Sequence, residues 1–169
     1  RTGDRGTGRD GTQKATFEPG VDIHAKVTIF SDGVRGNLTK TLINRFDLDA
    51  ARLPQTYAIG IKELWEIPPS RITPGHVLHT MGYPLKLSEF GGGFVYALSD
   101  DRIAVGFVAG LDYRNPLFDP HVAFQQFKLH PLVSSLLAGV QMVRYGAKAL
   151  PEGGWCATPK LHADGAIIV

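Results

Sequence analysis

The chain has only one cysteine, a small net charge and no long apolar run. Cys156 cannot form a disulfide within the chain, and one thiolate cannot hold an iron–sulfur cluster, so any cluster needs ligands from elsewhere. A formal net charge of +2, with no block of Lys or Arg, lacks the basic stripe that nucleic-acid binding requires. No segment approaches the ~20 apolar residues that span a bilayer, and no charged-then-apolar leader opens the chain. With 169 residues and 43% hydrophobic content, the sequence predicts one folded core and no nucleic-acid partner.

The two ends of the chain differ in character. Residues 1–14 are polar and rich in glycine, whereas 164–169 finish in an apolar run typical of the beginning of a buried strand. Two interpretations of the second end stay open. It is either a cut within a longer sequence or a short terminal strand packed into a sheet.

A strand, a glycine-containing turn and a helix are predicted in succession. Residues 21–29 alternate apolar and polar side chains, which predicts a half-buried strand, and 31–33 form a turn. The helix that follows has Asn37 as its expected cap. Its apolar face recurs at helical spacing and comprises Thr39, Leu42, Ile43 and Phe46.

Between Pro54 and Asp112 the pattern changes to several β-type runs. Apolar segments lie at 55–67, 75–85, 90–98 and 102–112. The polar turn at 99–101 predicts a hairpin between the last two. We therefore expect an antiparallel or mixed sheet in this region.

Two helices are predicted after the sheet. Asp119 before Pro120 is a helix-start signal, with an apolar face of Ala123, Phe124 and Phe127 behind it. Pro131 begins a second helix, and Gly139 stands where a helix C-terminal glycine belongs. Residues 140–155 are too rich in glycine to assign. The expected fold class is α+β, with a sheet of about five or six strands and two or three helices.

Two glycine-containing segments are candidate ligand sites. Gly33 and Gly36 lie between the first predicted strand and its helix, where free backbone N–H groups can hold a phosphate. Glycines in such a turn are also explained by backbone geometry alone. The run Gly91–Gly93 lies at the start of an apolar strand, where a flat ligand could use the exposed backbone and the aromatic walls of Phe90, Phe94 and Tyr96. The alternative is a flexible or bulged loop tip.

Other polar residues give weaker signals. His76 and His79 are three apart, so in a strand they face opposite sides and do not share a metal. The scattered histidines do not assemble a catalytic triad. Lys62 and Glu63 are interpreted as a polar strand edge, with pairing to each other or to neighbours as the alternative.

Ordered motifs along nearly the whole chain resemble the central part of electron transfer flavoprotein:ubiquinone oxidoreductases. They run from Gly8 to Ile168 in the order and spacing of that family. The motifs are 14–40 (KATFEPGVDIHAKVTIFSDGVRGNLTK), 54–67 (PQTYAIGIKELWEI), 74–85 (PGHVLHTMGYPL), 90–98 (FGGGFVYAL), 106–116 (GFVAGLDYRNP), 145–155 (YGAKALPEGGW) and 159–161 (PKL).

The resemblance implies an oxidoreductase with FAD and a four-iron four-sulfur cluster that passes electrons from reduced electron transfer flavoprotein to ubiquinone. It also implies a peripheral protein of an inner membrane, on the mitochondrial matrix or bacterial cytoplasmic side. The fold would resemble the quinone or substrate domain of a flavoprotein of the glutathione-reductase-like superfamily. Because the family's main FAD fingerprint and cluster cysteines fall outside this sequence, we expect the isolated chain to be inactive.

The resemblance also assigns site residues. Gly91 and Gly92 correspond to the glycines whose backbone binds a quinone carbonyl, and Phe90 stands where many members have Tyr. Gly33 belongs to a flavin-side loop, in which Asp32 replaces a common Glu. Tyr83 replaces a common Trp. No proton donor is identified, and His79 and Tyr96 are only guesses for that role.

The expected organisation has four parts. Residues 1–20 form a polar lead-in and hairpin, 21–53 belong to the FAD-binding domain, 54–150 form the ubiquinone-binding domain, and 151–169 return toward the FAD domain. Two other functions stay open: a substrate domain of a related flavin-dependent hydroxylase or reductase, and a non-enzymatic module that binds lipid or a protein partner.

Overall fold

The computed structural model describes all 169 residues and divides them into two compact units. One unit comprises 1–48 and 160–169, and the other comprises 49–159. The strands are β1 (Arg5–Thr7), β2 (Gln13–Glu18), β3 (Thr28–Phe30), β4 (Tyr57–Glu66), β5 (Val77–His79), β6 (Gly91–Ala97), β7 (Arg102–Gly110), β8 (Gln141–Pro151), β9 (His162–Ala163) and β10 (Ala166–Ile168). The helices are α1 (Asn37–Phe46), α2 (Pro120–Lys128), α3 (Pro131–Leu137) and α4 (Gly154–Ala157).

The first unit contains two small sheets and α1. Strands β1 and β2 form an antiparallel pair, and the second sheet has the order β3-β10-β9 with β10 parallel to β3. Leu42 of α1 packs with Leu48 and Ala166 in a small core. The apolar run at the end of the sequence forms β10, a short strand of this sheet.

The strand predicted over 21–29 is much shorter in the structure. Only Thr28–Phe30 is a strand, because its parallel partner β10 has three residues that pair with these three. Val21, Ile23 and Val27 are all more than half exposed, so the alternation of their side chains does not reflect a buried face. The prediction was wrong for 21–27 because sequence alternation alone does not supply a partner strand.

Helix α1 is where the sequence predicted it, but its cap is different. Asn37 is the first helical residue, not the cap, and the capping position is occupied by Gly36, which has no side chain. The carboxylate of Asp32 instead accepts hydrogen bonds from the backbone N–H groups of Leu38 and Thr39, at 2.9 and 3.3 Å. Asp32 performs the capping role from six residues away, a distance that local cap rules do not consider.

The second unit is built on a five-stranded antiparallel sheet with the order β5-β6-β7-β4-β8. The predicted hairpin at 99–101 is confirmed, since β6 and β7 pair on either side of it. Strand β8 covers residues for which the sequence gave no assignment. It pairs along the full length of β4, from Tyr57 opposite Pro151 to Glu66 opposite Gln141.

Helices α2 and α3 cover one face of this sheet. The predicted start of α2 is confirmed, because the Asp119 side chain accepts hydrogen bonds from the N–H groups of His121 and Val122. Its predicted apolar face is also confirmed, with Ala123, Phe124 and Phe127 all buried. The core contains these side chains and those of the central strands, namely Val95, Ile103, Val105 and Phe107.

The predicted α+β class is confirmed. The main sheet has five strands, within the expected range, and the described chain has four helices because the four-residue α4 was not foreseen. None of these helices combines the length and the apolar character needed to cross a membrane. The predicted boundaries after residues 20, 53 and 150 stay predictions.

Candidate functional site: the open face of the sheet

The two faces of the five-stranded sheet have different environments. Odd-numbered residues of β6 face the helices, since Val95 is fully buried and a Cβ at Gly93 would lie 2.1 Å from the Phe127 ring. Side chains alternate along a strand, so the even-numbered Gly92, Phe94 and Tyr96 lie on the other side. We call this second side the open face. It is the only face of the sheet that no helix of this unit covers.

The glycine run at 91–93 belongs to a paired strand and is not a loop tip. Gly91 pairs with Ala109 and Gly93 pairs with Phe107. A Cβ at Gly92 would lie 1.9 Å from the Thr80 carbonyl oxygen. Gly91 has a φ of 141°, and its Cβ would lie 2.0 Å from a backbone oxygen of β7. Close contacts within the protein therefore explain why no side chain is tolerated at these positions.

The backbone of Gly91 lies just beyond the end of a hydrogen-bond ladder. Thr80 N–H donates to the Gly93 carbonyl at 2.8 Å, and this is the last bonded pair between β6 and the β5 side. The Phe90 carbonyl accepts from Gly110 on β7 at 2.8 Å. The peptide bond between Phe90 and Gly91 is trans, so the Gly91 N–H points away from β7, opposite to the Phe90 carbonyl. It therefore faces the β5 side, beyond the last hydrogen bond between Thr80 and Gly93. This places a backbone donor at the edge of the open face.

Several residues close to Gly91 in the sequence have exposed apolar side chains. Phe90 is 56% exposed, and the segment between β5 and β6 also exposes Met81, at 89%, together with Tyr83 and Leu87. Exposed large apolar side chains grouped beside a backbone donor are typical of a surface that binds something. A backbone donor with apolar neighbours is the combination expected of a site for a flat, largely apolar ligand.

The structure brings together the two residues that were only guesses for proton delivery. The Tyr96 hydroxyl lies 3.1 Å from Nε2 of His79, and their rings are 5.4 Å apart. Phe94 stacks on Tyr96 with centroids 4.6 Å apart and lies directly opposite His79 in the β5–β6 register. The three side chains form a cluster on the open face, which we call the His79 cluster.

A cavity lies further across the open face. It has a volume of about 630 Å³ and is open to one side. Its lining comes mainly from β4 and β8, with Phe94 and Val108 contributed by the neighbouring strands. Sequence analysis missed it because β8, one of its walls, was not assigned as a strand.

Lys62 and Glu63 are not a polar strand edge. Strand β4 lies between β7 and β8, and Glu63 is only 5% exposed. Both of its carboxylate oxygens accept from Lys128 Nζ of α2 at 2.8 Å, and one also accepts from the Trp65 indole at 3.0 Å. The interpretation was wrong because the partner, 65 residues away, is invisible to local pattern.

The turn around Gly33 offers little free capacity for an anion. Gly33 has a φ of 85° with open space around it, as a turn glycine requires. However, the Asp32 carboxylate already accepts from the first N–H groups of α1. Its pKa is lowered chiefly because the Thr39 hydroxyl donates to it; desolvation opposes this effect and the backbone N–H groups of Leu38 and Thr39 add to it. Gly33 as a flavin-side residue stays a prediction.

The described residues do not offer a site for an iron–sulfur cluster, because one exposed cysteine cannot supply the thiolates that such a cluster requires. They also show no group of three or more His, Cys, Asp or Glu side chains placed to hold a metal ion.

Comparison with solved structures identifies the class of fold. The chain superposes on a flavin-dependent brominase, Bmp2, with a TM-score of 0.52 and 16% identity over 90% of this chain and 38% of that one. A triple mutant of the same enzyme gives a TM-score of 0.51 at 15% identity. At this level of identity the likeness shows the fold alone, which is that of a domain also found in a flavin-dependent enzyme.

Comparison of sequences identifies the family. Residues 57–150 match the family described as "ETF-QO, ubiquinone-binding", so the chain belongs to that family. Mitochondrial electron transfer flavoprotein-ubiquinone oxidoreductases of Caenorhabditis elegans, Sus scrofa and Homo sapiens are each 47% identical over 99% of this chain. The chain spans 28% of the length of each relative. The resemblance stated from the ordered motifs is confirmed.

Proposed function

We propose that this chain forms the quinone-binding section of an oxidoreductase that passes electrons from electron transfer flavoprotein to ubiquinone. The observation that carries the proposal is the family match over 57–150, which contains the whole five-stranded sheet except its final residue. Mitochondrial oxidoreductases that share 47% identity over nearly all of this chain support the same assignment.

The geometry supports a quinone head group at the Phe90–Gly92 edge. A quinone needs a donor for its carbonyl and apolar surroundings for its ring and tail. The backbone N–H of Gly91 supplies the donor at the edge, next to Gly92, which pairs with Val108 of β7. The side chains of Phe90 and Met81 supply apolar contact. A backbone donor cannot lose its proton near neutral pH, so it binds the carbonyl without altering the charge of the site.

The remaining parts of the reaction belong, in this proposal, to other segments of a longer polypeptide. FAD and a four-iron four-sulfur cluster would carry the electrons there, and electron transfer flavoprotein would deliver them. Residues 21–53, with Gly33, and 151–169 would contribute to the FAD-binding domain, while 54–150 form the ubiquinone-binding domain. The protein would act as a peripheral protein at an inner membrane, where its isoprenoid substrate resides.

The proposal is tested by replacing Phe90 in the complete polypeptide that carries this sequence. Phe90→Ala removes an exposed apolar wall without creating a steric conflict, so we expect KM for a short-tailed ubiquinone to rise about tenfold, the effect of losing roughly 1.4 kcal/mol of contact. Phe46→Ala, which removes a comparably exposed ring from α1, is the matched control. Steady-state assays with reduced electron transfer flavoprotein as donor measure both.

Two results would contradict the proposal. The first is a wild-type protein that accepts electrons from electron transfer flavoprotein but reduces no quinone. The second is an equal rise of KM in both variants, which would mean that the site lies elsewhere. Selectivity for the quinone head group over an alkyl chain of the same length separates this function from general lipid binding.

A further inference from the structure

The His79 cluster lies on the open face, and quinone binding by itself does not require it. The Tyr96 hydroxyl and His79 Nε2 are within hydrogen-bond distance at 3.1 Å, and Phe94 stacks against Tyr96. The side chain of His79 is exposed, whereas Phe94 and Tyr96 are half-buried. An imidazole fixed in orientation by a phenol, yet open to solvent, is suited to exchange protons.

The register of the sheet separates the His79 cluster from Gly91 by a distance that a quinone ring could span. His79 lies directly opposite Phe94, three residues along β6 from Gly91. Three residues of a strand span about 10 Å. A quinone ring with a hydrogen bond of about 2.9 Å at each of its two opposite carbonyls spans a similar distance. The Thr80 carbonyl packs on Gly92 between the two positions and would form the floor beneath the ring.

We propose that His79, oriented by Tyr96, delivers a proton to the quinone oxygen remote from Gly91. This rests on the proposed function. Reduction to the quinol needs two electrons, supplied by the reduced flavin or iron–sulfur centre of the complete oxidoreductase, and two protons. In the assigned step an N–H bond of the His79 imidazolium breaks, an O–H bond forms on the quinone, and solvent returns the proton to the ring.

Tyr96 acts in this step as a positioning residue. In the protonated ring Nε2–H donates to the Tyr96 oxygen, which leaves Nδ1–H free to face the ligand. The tilted packing of His79 against the Phe94 and Tyr96 rings restricts its rotation further. The second proton reaches the Gly91 end from another source, since the backbone there cannot supply one.

Few charged side chains lie near His79 on the open face. From β7, the open face presents Ala104, Gly106 and Val108, which carry no charge, and Arg102 at the start of the strand. The nearest charged residue in the same row is Lys62 on β4, beyond Phe94 and Gly106. Arg144 and Lys148 lie on β8, one strand further away. These three and Arg102 are cations, and the one carboxylate on the open face of these strands is Glu66, opposite Arg102 at the end of β4.

The experiment uses the complete polypeptide with two acceptors. One is a short-tailed ubiquinone, which takes up protons, and the other is ferricyanide, which takes an electron and no proton. His79→Gln should lower kcat for ubiquinone about a hundredfold, the lower range for loss of a general acid, with KM little changed and ferricyanide reduction unaffected. The wild-type quinone rate should also fall with rising pH as an imidazolium loses its proton, and the variant should lack that fall.

Two further variants complete the test. Tyr96→Phe keeps the ring stack but removes the hydroxyl, and should lower the quinone kcat about fivefold to tenfold while keeping the pH dependence, as expected for loss of one orienting hydrogen bond. His76→Gln is the matched control, because His76 lines a cavity on the helix-covered side with Leu132 and Leu136. It should retain the wild-type rate with both acceptors.

The inference is overturned if His79→Gln reduces ubiquinone at the wild-type rate, or if both acceptors are affected equally. Those results, obtained with a wild-type protein that does reduce ubiquinone, leave the proposed function standing. A wild-type protein that reduces ferricyanide but never ubiquinone removes the proposed function and this inference together.

Discussion

At the scale of single residues, the glycines of β6 show how one sequence feature can have two explanations. The run at 91–93 predicts a ligand approach, and the structure adds a steric reason at each position. Gly92→Val is therefore a poor probe of binding, because its side chain would displace the Thr80 backbone whether or not a ligand binds there. Variation at the exposed Phe90 tests the site without this complication.

The buried ion pair between Glu63 and Lys128 gives a prediction at the scale of single residues. Both side chains are largely buried, at 6% and 14% exposure, and Lys128 Nζ also lies 4.9 Å from the centre of the Phe124 ring. Lys128→Met leaves the Glu63 carboxylate buried with only the Trp65 N–H as partner. We expect a loss of about 3 kcal/mol in the free energy of unfolding, because one uncompensated charge remains buried.

Urea unfolding followed by circular dichroism measures this loss. The double variant Glu63→Leu with Lys128→Met should recover most of it, since neither charge is then buried. If Lys128→Met lowered the free energy of unfolding by less than about 1 kcal/mol, which is the range of an exposed ion pair, solvent would have to reach Glu63.

At the scale of secondary-structure elements, local sequence signals predicted most of the strands and helices but not which strands pair with each other. The start of α2 at Asp119 and the hairpin at 99–101 were predictable because their signals lie within a few residues. Strand β8 was not, since its 11 residues are mostly exposed and show no alternation of burial. β8 is a strand only because it pairs with β4. Pairing between residues so far apart in the sequence leaves no local sequence pattern.

Helix α1 provides a prediction about pH. The pKa of Asp32 lies below its ordinary value of 3.8, chiefly because of the Thr39 hydroxyl. A carboxyl whose pKa is lower in the folded state stabilises the fold above its unfolded pKa, and this contribution is lost as pH falls through the folded value. Thermal melts should therefore show that wild-type stability declines more steeply than that of Asp32→Asn as pH falls below about 4.

Asp10→Asn is the control for that measurement. The pKa of Asp10 is also lowered, chiefly by the Thr12 hydroxyl, but Asp10 lies in the turn between β1 and β2 and caps no helix. Of these two variants, only Asp32→Asn should change the loss of helical signal at 222 nm on acidification. Identical pH profiles for the wild type and Asp32→Asn would mean that the carboxylate does not stabilise α1.

At the scale of the whole molecule, the quinone-binding proposal depends on the second unit. The sheet from β4 to β8, the open face and the cluster at His79 all lie within 49–159. The family could be anticipated from ordered motifs, whereas the assignment of Gly91 to the quinone site stays a prediction. The contact between Tyr96 and His79 and the open-face cavity could not, because each depends on register between strands.

The most direct test of the quinone site follows the backbone amides of this chain by nuclear magnetic resonance while a short-tailed ubiquinone is added. A site at the Phe90–Gly92 edge predicts saturable shifts of the Phe90, Gly91 and Gly92 amides, with smaller changes at Thr80 and His79. Ubiquinone shifts confined to Gly60–Leu64 and β8, or none in a chain whose spectrum is that of a folded protein, would contradict the placement of the quinone site at this edge of the sheet.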